Sequence, residues 1–117
     1  MTPPRVSYFI DGSNVAAWDE PWSLWPVLTI MLHLIKQNDD VFCYFDANLR
    51  YKISDSNEVV LLDALTSRHQ NLFCVVTGGI EADEFILPDA DTNDAKIFTT
   101  DRYRKYMDQY PWLIDRD

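Results

Sequence analysis

Cysteine is scarce in this chain of 117 residues, and the two present, Cys43 and Cys74, are too few for a disulfide framework. Both stand inside apolar runs of β type and are expected to be buried free thiols. They cannot supply a zinc finger, and neither His33 nor His69 has metal-ligand company nearby in the sequence. Long hydrophobic runs are also lacking. The longest, Leu24 to Ile35, is interrupted by Pro26 and His33 and is too short to span a bilayer. The opening Met1-Thr2-Pro3-Pro4 is polar and leads at once into a β-rich run, so no secretory leader is expected. Internal repeats, low-complexity tracts and linkers are not visible. Positive charge is short: 10 Lys and Arg against 19 Asp and Glu give a net charge of −9, which argues against coating nucleic acid by bulk electrostatics. With 47% hydrophobic and 25% charged residues, the expectation is one globular domain over residues 1–117, in the cytoplasm.

What the chain does have is aspartate, which makes up 15 of the 19 acids. Between these acids, strand and helix patterns alternate. Arg5 to Ile10 reads as a buried strand broken by Asp11-Gly12-Ser13-Asn14. Leu24, Leu28, Met31, Leu32 and Ile35 recur at helical spacing behind Ser23, a candidate N-cap. Val41 to Phe45 is a second strand. Asp55-Ser56-Asn57-Glu58 matches a capping box, followed by Val59, Leu62 and Leu65 as a buried helix face. Leu72 to Thr77 is a third strand, and Asp83 to Leu87 a short helix that Pro88 should limit. Lys96 to Thr100 is a fourth strand, Arg102 to Gln109 a helix, and Trp112 to Ile114 a short last strand. The alternation predicts an α/β fold: an open parallel sheet of four to five strands with helices on both faces.

In such sheets function sits at the carboxyl ends of the strands, where strand order reverses. Asp11, Asp46 and Asp101 follow three of the strands, and Asp83 and Glu84 open the helix after the third. If the first and fourth strands are neighbours, Asp11 and Asp101 lie about 5 Å apart and repel by about 3 kcal/mol at an effective dielectric near 20. A divalent cation turns that repulsion into binding, and carboxylate oxygens suit Mg²⁺ or Mn²⁺. Each acid alone has an ordinary structural explanation. Asp11-Gly12 is a common turn, Asp101 suits an N-cap, Asp83 and Glu84 suit any helix start, and Asp46, Asp89, Asp91 and Asp94 read as solvated loop acids. Their convergence at the strand ends is the stronger signal.

Tyr8 to Ala16 resembles the first motif of the NYN-domain ribonucleases, a branch of the PIN-like nucleases, nearest the Regnase type. Ala82-Asp83-Glu84-Phe85-Ile86-Leu87 resembles that family's acidic pair at a helix start, Thr99-Thr100-Asp101-Arg102-Tyr103-Arg104 its last motif, and Phe45 to Arg50 more loosely the segment after the second strand. The resemblance implies strand order 3-2-1-4-5 and Mg²⁺- or Mn²⁺-dependent endonucleolytic cleavage of RNA. It implies an acidic metal site of Asp11, Asp83, Glu84 and Asp101. Asn14 would orient Asp11 or a water, Ser13 would line the site, and Arg50 and Arg104 would stand at basic positions. Glu84 stands where the family usually has Asp, Thr100 where it usually has Asn.

Arg50, Lys52, Arg102, Arg104 and Lys105 cluster near the expected active end, as a local positive rim for phosphates on an acidic protein. Trp18, Trp22 and Trp25 are expected to pack around the start of the first long helix rather than to stack bases. Other readings stay open: a catalytically weak or inactive module that binds RNA or protein, a toxin held by an inhibitory partner, a homodimer, or a phosphoaspartyl enzyme using Asp11, against which Ser13 stands where a second Asp is usual.

Overall fold

The structure is a computed structural model and describes residues 7–18, 20–76, 82–99 and 109. Four parallel strands form one open sheet in the order β3-β2-β1-β4: β1 (Ser7–Asp11), β2 (Asp40–Phe45), β3 (Phe73–Val75) and β4 (Lys96–Phe98). The chain adds β2 and β3 on one side of β1, then returns to lay β4 on the other. That reversal puts a switch point between β1 and β4. In register, Ile10 pairs with Cys43 on β2 and with Phe98 on β4. The observed order matches the first four strands of the expected 3-2-1-4-5. The expected last strand at 112–114 lies outside the described residues, as does the helix from Arg102 save for Gln109, which sits in a turn.

Side chains alternate across the strands with period two. Ile10, Val41, Cys43, Phe45 and Phe73 build the larger core with α1 (Gly12–Ala16), α2 (Trp25–Lys36), α3 (Leu49–Lys52) and α4 (Ser56–Arg68). Phe9, Phe42, Tyr44 and Ile97 lie on the other face, against Ala82 and Ile86 at the start of α5 (Asp83–Asn93). Rings of Phe9, Phe42 and Tyr44 meet edge to face there, with centroids 5.0–6.5 Å apart. Both cysteines are free thiols on adjacent strands, as expected, but only Cys43 is buried; Cys74 is half-buried.

Three local expectations are corrected. α2 buries Val27, Met31 and Leu34, in line with the buried Leu24 just before it, and leaves Leu32 and Ile35 exposed. Two apolar stripes at helical spacing share this helix, and packing on α1 and β2 selects between them. The capping box is half formed. Asp55 accepts from the N–H groups of Asn57 (2.8 Å) and Glu58 (3.4 Å), but Glu58 accepts from the Leu24 N–H and the Ser23 hydroxyl, both at 2.8 Å. It thereby serves the start of α2, where Ser23 Oγ also accepts from Trp25 N–H. Finally, α5 runs through Pro88 to Asn93. The N–H that proline lacks would have met the Glu84 carbonyl, and both residues are exposed, so the missing bond falls on the solvent side of the helix, where it costs least.

Candidate active site

The strand β1 ends in Asp11, and the chain turns directly into α1. The turn is tight because Gly12 has no side chain: a Cβ there would stand 2.5 Å from Cε1 of Phe45 and 2.6 Å from Sγ of Cys43. Asp11 is buried, on the α5 side of the sheet by the alternation that sends Phe9 there. Its Oδ2 accepts a hydrogen bond of 3.0 Å from the hydroxyl of Thr99, the residue after β4. This bond crosses the switch point. Burial, and secondly the nearby Asp11 charge, push the Cys43 thiol well above its usual pKa, so it is a poor nucleophile.

Two further contacts tie the residue after β2 to α1 and to the start of α5. The backbone N–H of Asp46, just past β2, donates to the buried Ser13 hydroxyl at 2.9 Å. The Asp46 carboxylate accepts from the Ala82 N–H at 2.7 Å, immediately before α5. Asp83 opens that helix, half-buried with Oδ1 shielded from solvent, and Glu84 beside it is exposed. Two turns on, Asp89 accepts from the Tyr44 hydroxyl. Asp46 and Asp89, expected as solvated loop acids, are therefore half-buried anchors, and Asp89 and Asp91 belong to α5 rather than to a loop. Asp94 ends the helix in the left-handed region, φ 52°.

A family model described as the Zc3h12a-like ribonuclease NYN domain matches residues 5–116. The chain belongs to this family. No curated protein matches it. The NYN ribonuclease assignment makes RNA the substrate class and hydrolysis the reaction class, and open α/β sheets in general bind ligands beyond the carboxyl ends of their strands at a switch point.

Within this NYN domain the sequence-expected site residues divide into groups. Asp11, Ser13 and Asp83 come to one edge of the sheet, where Asp46 bonds Ser13, next but one to Asp11, and Ala82, next to Asp83. Asn14 is on α1, its Oδ1 accepting from the Trp18 indole N–H at 3.1 Å. Arg50 lies on α3, exposed, in an ion pair of 2.8 Å with Asp63 and 5.6 Å from the Tyr51 ring centroid. Lys52 stands over the Trp22 ring at 5.7 Å. Trp22 is packed against the core as expected, whereas Trp18 and Trp25 are exposed. Asp101 and Arg104 lie outside the described residues. Among the described residues no three metal-ligating side chains are grouped as a metal site, and no helix is long and apolar enough to cross a membrane.

Sequence reasoning missed Thr99 and undervalued Asp46. The strand-end rule did point at Asp46, the first residue after β2. Nothing short of the β1–β4 pairing distinguishes Thr99.

Proposed function

We propose that this NYN ribonuclease domain is a Mg²⁺- or Mn²⁺-dependent endonuclease that hydrolyses internal phosphodiesters of single-stranded RNA in the cytoplasm. The observation that carries the reading is the buried Asp11 carboxylate at the switch point, braced by Thr99, with the acidic start of α5 fastened to the same edge through Asp46. Asp11, Asp83, Glu84 and Asp101 would hold the cation. Their donors are all carboxylate oxygens, which fits a hard divalent ion. When bound, such an ion lowers the pKa of water and neutralises charge on the phosphodiester.

The chain's own residues do the rest. Thr99 fixes the carboxylate of Asp11, and Trp18 fixes which end of the Asn14 amide accepts, so that Asn14 orients Asp11 or the attacking water. Ser13 lines the cleft, and Arg50 and Arg104 take phosphates. An exposed pair such as Arg50–Asp63 is worth about 0–1 kcal/mol, little enough for a phosphate to displace Asp63. A second reading, a weak or inactive module under a protein partner, is favoured by the charge of −9 and by the exposed position of Glu84.

Purified protein should cut a single-stranded RNA internally with Mg²⁺ or Mn²⁺ and stop on addition of EDTA. Asp11→Asn should lower the rate about a hundredfold or more with the fold intact, since even residues behind a metal ligand are worth about 10–100-fold. An Asp11→Asn protein as fast as the parent, free of host nuclease, would sink the assignment.

A further inference from the structure

Asp46 engages three elements through three different groups. Its N–H donates to Ser13 Oγ beside the β1–α1 turn, its carbonyl accepts from the Leu49 N–H at the start of α3 (3.1 Å), and its Oδ1 accepts from the Ala82 N–H. The last bond is the informative one. The residue at the N-cap of α5 is an alanine, which has no side-chain acceptor for the orphan N–H groups of a helix start. The acceptor comes instead from another element, and it carries the negative charge that a helix N-terminus favours. It fills the role that Glu or Gln takes in a capping box, reaching the N-cap N–H. Two residues earlier, on the same face of β2, Tyr44 bonds Asp89, two turns along α5. The helix is thus gripped twice from one strand, and the Asp46 grip lies one residue from Asp83.

We propose that Asp46 is a positioning residue for the active site. It acts through the Ala82 N–H to hold the acidic first turn of α5 in place relative to Asp11, and it is not itself a metal ligand. The inference rests on the metal-dependent nuclease reading above, and it adds a residue placed there by the tertiary structure alone.

The test uses the full chain and four measurements: Mn²⁺ affinity by electron paramagnetic resonance without RNA, kcat and KM on single-stranded RNA, and hydrogen exchange at the first-turn amides of α5. Three variants are compared. Asp46→Ala removes the acceptor. Asp46→Asn keeps an acceptor oxygen and removes the charge. Ala82→Pro removes the donor at a residue whose φ of −59° already suits proline, and keeps the charge of Asp46 while its ring pushes the carboxylate off the helix start. Asp46→Ala and Ala82→Pro should each weaken Mn²⁺ binding and lower kcat about tenfold, leave KM unchanged and speed exchange in the first turn. Asp46→Asn should stay near the parent. Parent-like Mn²⁺ affinity and kcat in Asp46→Ala would overturn the proposal. So would an Asp46→Asn protein as impaired as Asp11→Asn beside an unimpaired Ala82→Pro, which would make Asp46 a ligand. If Asp46→Ala does not fold, the contrast between Asp46→Asn and Ala82→Pro decides. A parent that binds Mn²⁺ in an Asp46-dependent way without cleaving RNA would refute the nuclease reading and support the positioning role. A parent that does not bind Mn²⁺ would overturn both.

Discussion

Gly12→Ala is the smallest change that should disturb the site. The added Cβ would lie 2.5 Å from Phe45 Cε1 and 2.6 Å from both Phe45 Cδ1 and Cys43 Sγ, well inside the 3.4 Å at which ordinary contact begins. Neither neighbour can yield easily. Phe45 is 1% exposed and stacked on Phe73 at 5.8 Å between centroids, and Cys43 is fully buried. Overpacking of this kind costs about 1–3 kcal/mol. The alanine recovers at most about 1 kcal/mol in helix propensity, and less at the first residue of a five-residue helix. A net loss of about 2 kcal/mol corresponds to a fall of about 8 °C in melting temperature for a chain of this length. Because Asp11 and Ser13 flank the substitution, RNA cleavage should fall as well. Differential scanning calorimetry measures the first effect and a cleavage assay the second. Adding Phe45→Leu gives a double-mutant cycle in which Gly12→Ala should cost less than it does alone. A Gly12→Ala protein that melts at or above the parent, or a cycle without coupling, would refute the argument from crowding.

Three other expectations follow from the same geometry. Millimolar Mn²⁺ should raise the melting temperature of the parent by mass action and raise that of Asp83→Asn less; equal shifts in calorimetry would point to general screening of an acidic surface. Thr99→Val keeps the shape but removes the hydroxyl that braces Asp11, so kcat should drop about 10–100-fold and return with Thr99→Ser. Burial, then the Asp89 hydrogen bond and the charges of Asp89 and Cys74, raise the Tyr44 phenol above its usual pKa. Above about pH 10 the unfolded phenol ionises first, the native state holds more protons, and stability falls as pH rises. Tyr44→Phe should therefore show a shallower alkaline decline in denaturant melts, at the cost of about 1 kcal/mol at neutral pH for the lost hydrogen bond.

The sequence by itself determined the strand and helix alternation, the parallel sheet and the place of Asp11 and Asp83 at its carboxyl edge. Those features are local: period two against 3.6, a run of β-branched and aromatic residues, an acid where a strand stops. The Tyr8–Ala16 motif sufficed to indicate the family for the same reason, since strand end, tight turn and first helical turn are contiguous. What only the tertiary structure decided depends on which element lies beside which. The two apolar stripes of α2 satisfy the same periodicity, and packing chose Val27, Met31 and Leu34. Glu58 looked bound to its own helix and serves α2 instead, because the Leu24 N–H and the Ser23 hydroxyl lie within reach. Thr99 meets Asp11 only because β4 pairs with β1, 88 positions apart in sequence. Asp46 reads as a solvated acid until α5 is packed on β1 and β4 and the N–H before it meets the end of β2, and hydrogen bonds between such distant residues leave no period in the sequence.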